Sequence, residues 1–436
     1  MNLKHFLILV AMAVGIVAMV AFSIPIIADV IAKHSSRFEV VIPKTASKPP
    51  QPAKTRDGRW EQDLMYLKAE LPRLHIRPFT KTTANDFNAL IDATIKRVSQ
   101  LSEDAMTVEI MRIVASIGDG HTNLQPLARF HTFPIWLWWF QNQLYVVYAG
   151  QGFEFLLGAK LERISKFSVP EAIEKIKPFI GADSTIDLET SAARIFIVPE
   201  ILHFSGLQPL LKKGEFTFIL SDKSVKKVVL QGLEPSKITW RESYQNQPQY
   251  LVDFNKTVWV KQLKQHKIGY VKYNSCRDFA AMADATKQLS EMLEQFEIDR
   301  VILDLRGNGG GHSEVIRPLL DMLLQQPLLF QPKRFFVFID SDTYSSAMMN
   351  ALDIRERFPH ATFVGNTTGG SLNFFGDSDD LILPNSKLKV VYSTQHFELL
   401  TGHQGGLSPD VFVKPTFQDW KLGRDPVLNY VIQQIK

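Results

Sequence analysis

The spacing of apolar and polar residues changes period along the chain, and each change marks an expected boundary between structural regions. From Trp60 to Gln100 apolar positions recur at helical spacing: Leu64, Leu67 and Leu71, a break at Pro72, then Phe87, Leu90, Ile91, Ile95 and Val98. A third helix is predicted over about Ala105 to Ile117, with Gly118 as its stop. From Phe133 the pattern becomes aromatic and β-branched, FPIWLWWF and LYVVYA on either side of a polar Gln-Asn-Gln turn, which predicts a hairpin. A strand, a turn and a helix starting near Pro170 follow, and a further strand pair is expected at Glu215 to Leu220 and Val225 to Leu230. From Thr257 onward the runs VWVKQL, IGYVKYN, VILDL, FFVFID and TFVG alternate with helical stretches at about Ala280 to Phe296, Ser313 to Gln325 and Ser346 to Phe358. Strands alternating with helices predict βαβ units and a largely parallel sheet, an α/β core.

Two N-terminal stretches fall outside this scheme. Phe6 to Ala28 carries no charge and is long enough to cross a bilayer as a helix. The small-residue cleavage patterns near it, Ala21-Phe22-Ser23 and Ile26-Ile27-Ala28, are poor, so an uncleaved signal anchor is expected over a cleaved signal peptide. Lys4 and the terminal amine favour a cytoplasmic N-terminus, Lys33, His34 and Arg37 vote the other way, and the bulk of the chain is expected outside the cytoplasm. Ser35 to about Arg59 is Pro-rich and polar, which reads as an extended, solvated linker. The expected organisation is therefore an anchor at 1–32, a linker at 33–59, a helical segment at 60–130, a β-rich domain at 131–235 and the α/β core at 255–436.

Composition narrows the function classes. With 436 residues, 45% hydrophobic and 22% charged, the chain is expected to fold into two or three domains. The 49 basic and 45 acidic residues nearly balance and form no long basic tract, so nucleic acid is not an expected partner. A single cysteine, Cys276, excludes an internal disulfide framework and a multi-cysteine metal site. The eleven histidines are scattered without H-E-x-x-H or a close pair, and no metal or other cofactor is expected.

The candidate chemistry gathers in two strand-turn-helix units between Val301 and Ser346. After Val301 to Leu305 and Arg306, glycines at 307, 309, 310 and 311 open a loop that can turn bare N–H groups toward a ligand. His312 stands where a dinucleotide fingerprint needs its last glycine, and no G-x-x-x-x-G-K-[ST] occurs in the chain, so nucleotide binding is not favoured. In the second unit Ser345 precedes a helix, where the field favours developing negative charge; a plain N-cap is the alternative role. His121 lies in the Gly-flanked turn Asp-Gly-His-Thr, where a base could be presented.

These pieces together resemble peptidase family S41, the tail-specific or C-terminal-processing proteases and their tricorn-core relatives. SIGDGHTNL at Ser116 to Leu124, YNSCRD at Tyr273 to Asp278, DLRGNGGGHS at Asp304 to Ser313 and TYSSAMMNALDIRERFPHATFVGNTTGG at Thr343 to Gly370 follow the family order. Shorter echoes stand at Leu383 to Thr394 and at Ser408 to Asp410. The resemblance implies a ClpP/crotonase-like catalytic core, often preceded by a PDZ-like module, which the β-rich region would supply. It implies Ser345 as nucleophile and Gly309 and Gly310 as the oxyanion-side loop, with Asp304, Arg306 and Asn308 supporting the motif. The processing peptidases pair their serine with a lysine, but Ser371 stands at that position. The tricorn-like branch uses the histidine of the D-G-H-T segment, so His121 is the expected general base. That branch orients its histidine with a carboxylate shortly before a P-D element. Here His403 is nearest, with Glu398 a few residues upstream as the candidate third member. The expected function is a membrane-anchored serine peptidase acting on peptide or protein substrates. A non-catalytic binder of peptide or apolar ligand on the same fold is the alternative, and a thioester hydrolase or isomerase a third.

Overall fold

The computed structural model describes residues 44–125, 129–242, 248–295 and 297–434. The expected anchor at Phe6 to Ala28 lies outside them. Among the described residues no helix is long and apolar enough to cross a membrane.

The three N-terminal helices form at Arg56–Leu74, Ala84–Ile95 and Glu103–Ala115, each opened by a hydroxyl cap from Thr55, Thr83 or Ser102. The first does not break at Pro72 but runs to Leu74. Proline there lacks only one hydrogen-bond donor in the last turn, and the His75 N–H closes that turn on the Leu71 carbonyl at 3.0 Å. The described end of the expected linker is mostly exposed but tethered: Ser47 N–H donates to Glu70 at 3.0 Å, and Tyr66 Oη donates to the Ser47 carbonyl at 2.7 Å.

The β-rich region is a seven-stranded antiparallel sheet. Its main order is Ile135–Phe140, Gln143–Gly150, Lys160–Ile164, Lys213–Ile219 and Val225–Gln231. The first two strands are the expected hairpin, turned by Gln141 and Asn142 at φ of 46° and 65°. Helices at Val169–Ile176, Thr185–Ile195 and Pro199–Phe204 complete the region; the last two were not marked by the sequence pattern. One hydrophobic core runs from Leu64 and Phe87 through Phe133 and Phe216 to Leu381 and Tyr392, joining the helical segment, the β-rich region and a C-terminal hairpin.

The α/β core is a six-stranded sheet in the order Val411–Phe412, Thr362–Gly365, Phe335–Ile339, Arg300–Asp304, Ile268–Tyr273 and Val258–Leu263. All pairings are parallel except the last. Phe335–Ile339 is wholly buried because both faces are covered. Phe335 and Val337 pack with helical residues Leu289, Leu319 and Met348, while Phe336 and Phe338 pack with Val427 and Val431 near the C-terminus.

A third sheet positions the site. The strands Asn373–Ile382 and Lys389–Glu398 form a long hairpin absent from the sequence expectation, and the short strand Asn123–Leu124 joins its edge with Asn123 opposite Val391. This pairing carries the turn at His121 to the α/β core.

Candidate active site

Ser345 sits between the Phe335–Ile339 strand and the Ser346–Arg357 helix with φ 52° and ψ −126°. A serine in this region costs about 1–3 kcal/mol, so the surrounding contacts must hold it there. They are identifiable. Thr343 Oγ1 donates to the Leu305 carbonyl at 3.0 Å, Tyr344 N–H donates to the Asn308 carbonyl at 3.0 Å, and Ser346 Oγ donates to the Gly311 carbonyl at 2.7 Å. The glycine loop and the nucleophile turn are thus bound to each other.

The result is that His121 Nε2 lies 3.0 Å from Ser345 Oγ, across 224 residues of sequence. The imidazole is held between the Tyr344 ring, 5.0 Å away by centroids, and the Phe374 ring at 5.3 Å. Burial pushes the His121 pKa down; Asp183 and Asp119 pull the other way without overcoming it, so the ring is held as the neutral base. The turn that presents it is anchored by Asp119, whose Oδ1 accepts from the N–H groups of His121 and Thr122 at 2.8 and 2.7 Å. Asp119 Oδ2 meets His75 Nε2 at 2.7 Å. His75 Nδ1 accepts from Arg77 N–H at 3.0 Å, which assigns the proton to Nε2 and makes His75 a donor to Asp119.

On its other nitrogen His121 faces residues that the sequence reading passed over. Tyr344 Oη lies 3.4 Å from Nδ1 and donates to Asp183 Oδ2 at 2.7 Å; Asp183 Oδ2 is itself 3.8 Å from Nδ1. Asp183 Oδ1 accepts from Gly120 N–H at 2.9 Å, and Asp187 Oδ2 accepts from Asp183 N–H at 3.0 Å. Asp183 immediately precedes Ser184, the cap of the Thr185–Ile195 helix. That cap, followed by an acid in the first turn, was the local signal available for this element.

The expected third member, Glu398, is exposed at the end of its strand, paired in register with Asn373. No contact between Glu398 and His121 is found among the described residues; the carboxylate facing Nδ1 is that of Asp183. Ser371 is buried, with its Oγ accepting from Asn373 N–H at 3.4 Å.

The glycine loop departs from expectation in one detail. Gly310 N–H donates to Asn308 Oδ1 at 2.9 Å, so this donor is already engaged. The N–H groups of Gly309 and Ser346 have no acceptor among the described residues. Gly310 must still be a glycine. Its φ is +96°, and an added Cβ would lie 2.8 Å from Ser345 Cβ and 2.9 Å from the Ser346 nitrogen. At Gly309 an added Cβ meets nothing within 4 Å. Asn308 is fully buried and also donates through Nδ2 to the Tyr273 carbonyl at 2.9 Å.

Asp304 and Arg306 belong to a buried charge cluster beneath the loop. The Arg306 guanidinium pairs with both Asp304 and Asp425, the latter through contacts of 3.0 and 2.8 Å, and lies over the Tyr250 ring at 4.1 Å. Lys272 Nζ sits 3.6 Å from Asp304 Oδ1 and reaches the Arg306 carbonyl. These residues hold the root of the glycine loop. Two crevices of about 250 and 310 Å³ adjoin Asp340 to Asp342 and the Trp138 region, and neither is lined by Ser345 or His121.

Residues 267–335 match the family model for peptidase family S41. The matched segment runs from the Ile268–Tyr273 strand through the glycine loop to Phe335, well under half of the chain, and in that segment the α/β core is similar to peptidase family S41. The fold of the chain is shared with solved structures. Mature CPAF complexed with lactacystin aligns at 11% identity over 87% of this chain and 98% of that one, with a TM-score of 0.59. Mature CPAF in a second structure aligns at 11% identity over 87% and 97%, with a TM-score of 0.58. At that identity the likeness concerns the fold. No curated protein sequence matches the chain. The S41-like segment belongs to the α/β scaffold on which the Ser345 and His121 geometry is built.

Proposed function

We propose that this protein is a serine-type peptidase of the S41 type in which Ser345 is the nucleophile and His121 the general base. The observation that carries this reading is the 3.0 Å contact between Ser345 Oγ and His121 Nε2, made on a strained turn that other contacts hold in place. Ser345 Oγ attacks the peptide carbonyl as its proton passes to Nε2. The carbonyl oxygen takes up negative charge and is met by the N–H groups of Ser346 and Gly309. The same proton then goes to the leaving amine as the carbon–nitrogen bond breaks. Water repeats the sequence to release the acyl group, with His121 again as base. A lysine base is not required, which accounts for Ser371 at the position that the processing peptidases fill with lysine.

The uncharged run from Phe6 to Ala28 supports a membrane anchor with the bulk of the chain outside the cytoplasm, where it would meet its peptide substrates. A reporter fused after Lys436 that is active only in the cytoplasm would overturn that orientation. For the chemistry, a fluorophosphonate probe is expected to label the wild-type protein and neither Ser345→Ala nor, at comparable rate, His121→Ala. A wild-type protein that stays unlabelled refutes the peptidase reading.

A further inference from the structure

A histidine base works only if its second nitrogen is held in the right tautomer, and the partner expected from the sequence, Glu398, does not reach His121. Among the described residues two polar side chains face Nδ1, the Tyr344 hydroxyl at 3.4 Å and the Asp183 carboxylate at 3.8 Å, the latter too far for a direct hydrogen bond. The direction of each bond follows from counting protons. Asp183, as a carboxylate, can only accept, so the single hydroxyl proton of Tyr344 points to Asp183 Oδ2 at 2.7 Å. The Tyr344 oxygen is then left with its lone pairs toward Nδ1 and accepts the Nδ1–H. Nε2 is thereby the unprotonated nitrogen, the one facing Ser345 Oγ.

We propose that Tyr344 is a positioning residue that links Asp183 to His121, fixing the imidazole tautomer and conveying the carboxylate charge to the imidazolium formed during acylation. This rests on the peptidase reading above for its catalytic consequence, but not for its geometry. Tyr344 keeps its proton throughout: burial, then the neighbouring Asp183 and Asp187, raise its pKa well above 10. In the acylation step only the Ser345 proton moves, to Nε2, while Nδ1–H and the Tyr344 hydroxyl stay as they are.

The placement explains two sequence features. Tyr344 and Ser345 are consecutive on one turn, so the backbone that aims the Ser345 hydroxyl at Nε2 also lays the Tyr344 ring against the imidazole. Gly120, next to His121, has room for no side chain: an added Cβ would fall 2.1 Å from Tyr344 Oη, 2.7 Å from Asp187 Oδ2 and 2.9 Å from Asp183 Oδ2. The groups facing His121 are thus Ser345, Tyr344, Phe374 and Asp183, with Asp119 on its own turn. Asp187 stands behind Asp183, and Lys81 and Arg194 act on Asp187 at longer range.

The test compares Tyr344→Phe, Asp183→Asn and the double variant with wild type, reading fluorophosphonate labelling rate against pH and the ¹⁵N shifts of the His121 ring, assigned by loss of signal in His121→Gln. Tyr344→Phe keeps the stacked ring and removes only the hydroxyl. The expected results are an Nδ1–H tautomer in wild type and a mixture in Tyr344→Phe. Each single variant should label at least about tenfold more slowly, with no further fall in the double. Wild-type labelling by Tyr344→Phe, or loss confined to Asp183→Asn, would overturn the link through the tyrosine. If wild type does not label, the peptidase reading fails, and the tautomer comparison still decides this proposal: an unchanged ring signal in Tyr344→Phe refutes it.

Discussion

Gly309 and Gly310 are neighbours in sequence but should respond oppositely to a single methyl group. In Gly310→Ala the new Cβ would stand 2.8 Å from Ser345 Cβ, 2.9 Å from the Ser346 nitrogen and 3.0 Å from the Tyr344 carbonyl oxygen. Ordinary contact begins at 3.4 Å, so the nucleophile must retreat by about 0.6 Å. The φ of +96° adds roughly 1–2 kcal/mol of backbone strain for alanine. A displacement of this size at a hydroxyl that must stay 3.0 Å from its base is expected to slow acylation by about 100-fold. Gly309→Ala meets nothing within 4 Å and keeps its N–H, so its labelling rate and thermal stability should stay near wild type. The assay is the second-order rate of fluorophosphonate labelling for both variants, with thermal unfolding measured alongside. Wild-type labelling by Gly310→Ala, or equal losses at both positions, would refute the packing argument.

Three further outcomes are expected. Arg306→Met strands Asp304 and Asp425 in the interior and should cost about 3–5 kcal/mol in urea unfolding. Burial opposes the Asp304 charge but Arg306 and Lys272 overcome it, so its carboxyl titrates below the usual range. That stability is present above the unfolded value and is lost as pH falls through the folded one, below about pH 4; the acid sensitivity should change in Arg306→Met. Asp187 is pushed up to about 7 by burial and by Asp183, so its contribution is full at acid pH and disappears as pH rises through 7. Asp187→Asn should therefore raise stability at pH 8, on the order of 2–4 kcal/mol before relaxation of the site, and a Tm at pH 8 equal to or below wild type counts against this. Because burial lowers the His121 pKa, the acid limb of the labelling profile should have its midpoint below the ordinary histidine value of about 6.5; a midpoint above it would mean that another group controls the rate.

Local pattern carried much of the α/β core. The alternating runs from Thr257 onward became strands in the expected places, because a wholly apolar run such as Phe335–Ile339 has no stable place except between two covered faces. The strand-turn-helix at Ser345 and the glycine loop at Gly307 to Gly311 were legible for a similar reason, since both depend on residues adjacent in the chain. The hairpin Asn373–Ile382 and Lys389–Glu398 was not, as its first strand holds Asp377, Ser378, Asp379 and Asp380, which hide the period of two.

The chemistry of the site divides along the same line. The sequence by itself determined that Ser345 begins a helix and that His121 stands in a turn between small residues. Their meeting was decided by tertiary structure, through the pairing of Asn123 with Val391 that carries the His121 turn to the α/β core. Glu398 was singled out by its place in the chain before Ser408 to Asp410, but it lies exposed at a strand end and makes no contact with the half-buried His121 imidazole among the described residues. Asp183 and Tyr344 could be recognised only once the Thr185–Ile195 helix was seen packed near the nucleophile turn, where Ser184 Oγ donates to the Gly369 carbonyl at 2.5 Å. A hydrogen-bonded partner across 161 residues leaves no period and no local composition to read, because it is fixed by how separate elements pack.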